Sequence, residues 1–320
     1  MILITGSTGY IGSHISQYFE QNNIEFIGID NLSYSYKNNV SKKQKHFFFN
    51  ISDTKKLNKL ILRYKPKTVI HCAAYSYVIE AEKFKKKYIL NNVIKTKKFI
   101  DTCKLQKIEN FIFMSSSNVY SENLKNSFFS ENSKKNPKNL YGKNKIIIEN
   151  YLNQKNFKKL IILRLFNVIG ILNKSFTPFK FKGKNYQRLI FKLLQNYKTN
   201  EITKINKITK NNKHIFPARD FIDIGDLLNI LNKLLYKISI SKVLKNTLNV
   251  GSGRKITIDK VINLINENLN NKLKLKLTDL HNKELSTTRS SISKICKFLN
   301  FKPKINLKNS IKSHIELIKN

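Results

Sequence analysis

Apolar positions along this chain fall into short unbroken runs, separated by segments in which they recur every three or four residues. The runs at 1–5, 25–29, 45–49, 68–71, 110–115 and 160–165 predict short buried strands. Between them, 11–19, 53–64 and 91–104 carry one apolar stripe at helical spacing and predict amphipathic helices. Regular strand–helix alternation predicts an α/β fold with a Rossmann-like, doubly wound parallel sheet. After Gly170 the pattern breaks. Residues 173–184 read as a loop, 186–197 and 227–236 as helices, 247–250 as a short strand, and the last seventy residues as mixed. The expected division is one domain of 1–167 plus about 213–250, and a smaller mixed domain of about 168–212 plus 251–320.

Glycine is scarce, ten in 320 residues, yet Gly6, Gly9 and Gly12 crowd between the first predicted strand and helix. Glycine reaches φ > 0 and permits close backbone approach. A strand, a glycine-rich turn and a helix start together turn backbone N–H groups and the positive end of the helix dipole toward an anion. Asp30 closes the second strand, eighteen residues after Gly12. A carboxylate there accepts hydrogen bonds from an adenosine ribose and repels a 2′-phosphate, which points to NAD rather than NADP. The glycines are expected to make room for its pyrophosphate.

The net charge of +40 would suggest a nucleic-acid partner, but its make-up points elsewhere. Of 60 basic residues only six are arginine; alanine occurs four times and tryptophan never, while Lys, Asn, Ile, Phe and Tyr abound. AT-rich codons specify that abundant set. Nucleic-acid readers gather charge in one patch and favour arginine, whereas lysine here runs from end to end, as at 85–87, 97–98 and 134–135. Compositional drift with sequence-blind attraction of anions is the reading, and no specific nucleic-acid partner is expected. A basic nucleic-acid-binding protein on the same scaffold is the non-enzyme alternative. No run reaches the ~18 apolar residues of a membrane span, and the N-terminus enters a strand directly. Cys72, Cys103 and Cys296 are scattered and suggest neither a disulfide framework nor a zinc site. The expectation is a cytoplasmic protein without metal or membrane association.

Tyr141 and Lys145 lie four residues apart, on one face of a predicted helix. A lysine ammonium near a tyrosine lowers its pKa from about 10 toward neutrality and makes the phenolate available as a base. Upstream, the strand at 110–115 runs into Ser115, Ser116 and Ser117. Ligands bind at strand ends of open α/β sheets, and a hydroxyl there can bond the substrate oxygen that the tyrosine deprotonates.

This combination resembles the extended short-chain dehydrogenase/reductase family of NAD-dependent epimerases and dehydratases, and within it the UDP-glucose 4-epimerases. The matching segments are TGSTGYIGSH, DNLS at 30–33, HCAA at 71–74, SSSNVY at 115–120, YGKNK at 141–145, LRLFNVIG at 163–170, RDFIDIGDL at 219–227 and LNVGSG at 248–253. The resemblance implies a catalytic set of Ser116, Tyr141 and Lys145. It implies cofactor contacts from Gly6, Gly9, Tyr10, Ile11, Gly12, Asp30, Asn31, Asn50, Ile51, Ala73, Ala74, Asn91, Tyr141, Lys145 and Phe166. For a nucleotide-sugar it implies Ser116, Asn167, Arg188, Arg219 and His281, with Arg219 on the diphosphate. It further implies a UDP-sugar substrate and a homodimer built from helices around 91–104 and 141–152.

Family resemblance also implies a carboxylate just after the catalytic hydroxyl in sugar dehydratases and decarboxylases. Here Ser117 and Asn118 follow Ser116, which favours plain 4-epimerisation through a transient 4-keto sugar, with a nucleotide-sugar 4,6-dehydratase as the enzyme alternative. The chain departs from the pattern at His281, where an arginine is expected, and at Ser121, where a glycine usually stands. The segment KHIFPA before Arg219 lacks the usual acidic-glycine signature. Thr288 stands where some relatives carry a bulky tyrosine, which leaves room for an N-acetyl group.

Overall fold

Five strands, β1 (Ile2–Thr5), β2 (Phe26–Asp30), β3 (Lys45–Phe48), β4 (Thr68–His71) and β5 (Asn110–Ser116), join the strands Lys159–Leu165 and Leu244–Val250 in one sheet. The computed structural model of the chain describes residues 1–41, 43–121, 128–172, 188–210 and 212–319. Across the sheet the order is Leu244–Val250, Lys159–Leu165, β5, β4, β1, β2, β3, and every neighbouring pair is parallel. The predicted strand at 247–250 is longer than expected and forms the edge beside Lys159–Leu165.

The unbroken apolar runs have a simple cause: both faces of the sheet are covered. Ile2 and Ile4 on β1, Ile70 on β4 and Ile112 on β5 pack toward helix α1 (Tyr10–Gln21) and the helix Ile224–Ile240. Leu3, Val69, Phe111 and Phe113 point the other way, against helix α2 (Thr54–Tyr64) and the helices Thr96–Leu105 and Leu140–Asn153. Inside the predicted helix 91–104 the structure adds a wider π-type turn over Leu90–Lys95.

The smaller part holds a three-stranded sheet ordered Lys213–Ile215, Thr203–Lys210, Leu275–Asp279. Its core joins the helices Leu189–Lys198, Ile258–Asn266 and Leu307–Lys319 through Ile190, Leu193, Val261, Ile265, Ile311 and Ile315. The predicted loop at 173–184 and the first residues of the predicted helix 186–197 lie outside the described residues. Among the described residues, no helix is long and apolar enough to cross a membrane, and no three His, Cys, Asp or Glu side chains cluster as metal ligands.

Candidate active site

The order in which the chain adds strands reverses at β1: β2 and β3 lie to one side, β4 and β5 to the other. Loops leaving the C-terminal ends of the strands diverge there and open a crevice. A cleft of about 1120 Å3 runs from this point to the smaller part. Gly6, Gly9, Tyr10, Ile11 and Gly12 line its near end, together with Cys72 and Ala74.

The glycine turn is shaped by contacts that no side chain would allow. Gly6 has φ +66°, and a Cβ there would lie 2.7 Å from the Ala73 nitrogen. At Gly12 a Cβ would lie 2.0 Å from the Gly6 carbonyl oxygen, so the start of α1 can press against the turn only without one. Gly9 is the N-cap of α1 and supplies no side-chain cap. The first N–H groups of a twelve-residue helix thus keep their capacity for an anion, and this turn fits a dinucleotide pyrophosphate. Asp30 sits at the end of β2 with one carboxylate oxygen on the Thr8 N–H (3.1 Å) and the other on the Leu32 N–H (2.7 Å). Burial raises its pKa, against those hydrogen bonds. Asp30, Asn31, Asn50, Ile51, Ala73 and Asn91 do not line the cleft itself; Asn31 is exposed beside the end of β2, and Asn50 and Ile51 follow β3.

Ser116 and Tyr141, from different elements, meet in the cleft. The Ser116 side chain stands close enough to the Tyr141 phenol to favour its ionised form, and both line the cleft. The helix carrying Tyr141 is capped by Asn139, whose Oδ1 accepts the Gly142 N–H at 2.8 Å. Asn139 also donates to Asn118 Oδ1 at 3.0 Å, and the Asn118 side chain in turn donates to Ser116 Oγ at 3.2 Å. One chain of hydrogen bonds therefore sets the height of Tyr141 against Ser116. Ser115 points elsewhere, donating to Glu149 Oε1 at 2.6 Å.

Lys145 does not do to Tyr141 what the spacing suggests. Its ammonium donates to the Met114 carbonyl at 2.6 Å and lies 5.7 Å from the Tyr141 ring centre. Burial pulls Lys145 down to about 8, and pushes Tyr141 up to about 12 against the nearby Ser116 side chain and the charge of Arg188. Desolvation of a buried phenol outweighs a cation held away from its oxygen.

Farther along, Phe166, Asn167, Arg188 and Arg219 line the cleft. The Phe166 N–H donates to the Val250 carbonyl at 2.9 Å and the Asn167 N–H to the Asp220 carbonyl at 3.0 Å, which fixes this segment beside Arg219. The buried Asp220 carboxylate accepts the N–H groups of Ser252, Gly253 and Ser290, and so holds the LNVGSG turn to the same place. The Arg188 guanidinium lies 4.3 Å over the Tyr10 ring. Arg219 donates to the carbonyls of Ala218 (3.0 Å) and Ser286 (3.2 Å), with Glu284 3.9 Å away. His281 is exposed and outside the cleft lining; Glu284, three residues on, is the side chain of that segment that faces the cleft.

The NAD dependent epimerase/dehydratase family matches residues 2–251. The chain belongs to that family. NAD is its cofactor. A dTDP-D-glucose 4,6-dehydratase of Dictyostelium discoideum is 31% identical over 82% of this chain, which spans 62% of that relative's length. UDP-arabinose 4-epimerase 1 of Arabidopsis thaliana is 27% identical over 98% of this chain and 78% of its own. A crystal structure of a UDP-glucose 4-epimerase shares the fold, with a TM-score of 0.90 over 99% of this chain and 97% of that one, at 22% identity.

Sequence reasoning missed a second layer behind the site of this epimerase/dehydratase. Arg164 makes a two-pronged pair with Glu149 (2.7 and 3.0 Å), both side chains 3% exposed. Arg164 also donates to the Tyr120 hydroxyl at 3.1 Å, and that hydroxyl donates to Asn249 Oδ1. Glu149 follows Lys145 by one helical turn, so the pair braces the helix that carries Tyr141. With only six arginines in the chain, Arg164 carried a signal of its own.

Proposed function

We propose that this protein is a nucleotide-sugar 4-epimerase. The observation that carries the reading is the meeting of Ser116 and Tyr141 in one cleft, where Ser117 and Asn118 occupy the positions after Ser116. Asn118 is engaged as a strut between Ser116 and Asn139 and offers no acid or base for loss of water. Tyr141 would act as its phenolate, a form that the positive charge of bound NAD would favour against the buried phenol's pKa of about 12. It would take the proton of the sugar 4-hydroxyl while Ser116 bonds that oxygen and holds it in line. NAD, when bound, would supply both the hydride acceptor and the hydride donor of this chemistry, so no added oxidant would be needed. Arg219 presents its planar fork to the diphosphate. Asn167 contacts the sugar, and the small Thr288, 3% exposed at the cleft wall, leaves space for an N-acetyl group. Purified protein without added cofactor should interconvert UDP-galactose and UDP-glucose or their N-acetyl analogues. A 4-keto-6-deoxy product would instead make it a dehydratase.

Arg188 favours a second substrate reading. It lines the cleft with its guanidinium over the Tyr10 ring, so a second cation stands in the cleft in addition to Arg219. A sugar with a carboxylate at C5 would find a partner there. Preferential turnover of a UDP-uronic acid, lost in Arg188→Met, would establish this reading; undiminished turnover of the UDP-uronic acid by the variant would remove it.

Asp30 carries the preference for NAD over NADP, because its carboxylate repels a 2′-phosphate. Equal affinity of the stripped protein for the two would contradict it. The homodimer reading is supported by apolar side chains left exposed on the helices proposed for the interface: Leu90 (47%), Ile94 (56%) and Ile147 (41%). A second copy covers them, and sedimentation at micromolar concentration should give the mass of two chains. A mass of one chain would count against it.

A further inference from the structure

The loop after β2 is tied down on both sides of the crevice. On one side it is bound to Thr8 of the glycine turn. Ser35 Oγ lies 2.6 Å from Thr8 Oγ1, and Asn39 Nδ2 donates to the Thr8 carbonyl at 3.0 Å. On the other side the Tyr34 hydroxyl donates to Glu80 Oε1. Lys87 Nζ donates to both members of that pair, to the Tyr34 hydroxyl at 2.7 Å and to Glu80 Oε1 at 2.9 Å, and Tyr88 donates to Glu80 Oε2 at 3.3 Å. The Lys87 ammonium also stands over the rings of Tyr34 (4.9 Å) and Tyr75 (5.0 Å). Tyr75 is itself anchored: Asn92 accepts its N–H at 2.9 Å and donates to its carbonyl at 2.8 Å.

Strand order determines what this bridge crosses. β2 and β4 flank β1, so a link from the loop after β2 to the segment after β4 passes over the C-terminal end of β1, where the glycine turn begins. Glu80 lines the cleft near that crossing, with a side chain only 9% exposed. Burial opposes its ionisation, but the hydrogen bonds from Tyr34 and Lys87 prevail and hold its carboxyl below the usual range. The bridge is thus built from charge-assisted hydrogen bonds, which are stronger than neutral ones.

We propose that Tyr34, Glu80 and Lys87 form a clasp over the glycine turn that sets how long NAD stays bound. This inference rests on the family's cofactor and not on the choice of sugar, so it can fail while the epimerase reading stands, and the reverse. On this proposal NAD leaves through the gap that the clasp spans, and opening it breaks the two hydrogen bonds that the Tyr34 hydroxyl makes across it, with Glu80 and with Lys87.

The test is the dissociation rate of NAD from loaded protein, followed by gel filtration and by assay of the nucleotide released on denaturation. Glu80→Gln and Tyr34→Phe should each speed dissociation about tenfold or more, the scale of losing a hydrogen bond to a charged group. Lys86→Met, one residue from Lys87 and outside the clasp, should leave the rate unchanged. Melting of the cofactor-stripped variants separates a clasp from a general brace: a clasp leaves their stability near that of the parent. Wild-type dissociation rates in Tyr34→Phe and Glu80→Gln overturn the proposal, as does faster loss that tracks a matching fall in stripped-protein stability. Should Glu80→Gln fail to fold, Tyr34→Phe decides, because it removes a single hydroxyl.

Discussion

Tyr141→Phe is expected to retain NAD and to lose turnover by ~10²-fold or more, the usual worth of a positioned general base. The change should act on chemistry rather than on folding. The ring packs against Ala81 and Tyr88, and phenylalanine keeps that packing. Loss of the phenol hydroxyl should cost at most about 1 kcal/mol of stability, since the Ser116 oxygen keeps its bonds from Asn118. Ser116→Ala should cost less turnover, because Tyr141 retains the proton transfer. Steady-state rates beside the amount of NAD released on denaturation check both. Near-wild-type turnover in Tyr141→Phe would remove the phenol from the mechanism, and a larger loss from Ser117→Ala than from Ser116→Ala would move the catalytic hydroxyl by one position.

Acid should weaken the fold long before its carboxylates protonate. His14, His71 and His314 are each at most 4% exposed, and burial lowers their pKa from 6.5 to about 4, about 3 and about 3. Their contacts suit the neutral ring. His314 Nε2 accepts the Gly170 N–H at 2.9 Å, leaving no room for a proton on that nitrogen. His71 stacks on Phe99 and Phe113, with Thr5 Oγ1 2.8 Å from Nδ1 and the Lys145 charge opposing protonation. Since the folded values lie below the unfolded one, the unfolded chain binds more protons. Stability is therefore fully present above pH 6.5 and is lost as pH falls toward 4. Three such groups remove about 4 kcal/mol for each pH unit once below the unfolded pKa. That is a large part of the 5–15 kcal/mol that typically separates folded from unfolded states. The urea midpoint should fall steeply between pH 7 and pH 5.5, with no change in denaturant slope. A flat midpoint over that interval would mean that these rings find acceptable partners when charged.

What this sequence determined alone was local. Unbroken apolar runs marked β1, β2, β4 and β5 to within a residue or so, because strands covered on both faces admit few polar side chains. The glycine cluster marked the turn before α1, because only glycine tolerates the approach of Gly12 to the Gly6 carbonyl. The spacing of Tyr141 and Lys145 placed both on one helix. It did not determine where the ammonium goes, since the Met114 carbonyl that receives it lies thirty-one residues away on strand β5. Nor could the chain show that burial dominates the Tyr141 phenol, because desolvation depends on everything packed around it. The position aligned with a substrate arginine, His281, turned out to lie outside the cleft, with Glu284 facing inward instead. The Arg164–Glu149 pair and the Tyr34–Glu80–Lys87 bridge join residues that no periodicity connects. Hydrophobic pattern and turn chemistry act over a few residues and can be read in one dimension. The burial, hydrogen-bond partners and charges of a site come from side chains that meet only after the strands are ordered, and those the tertiary structure alone decided.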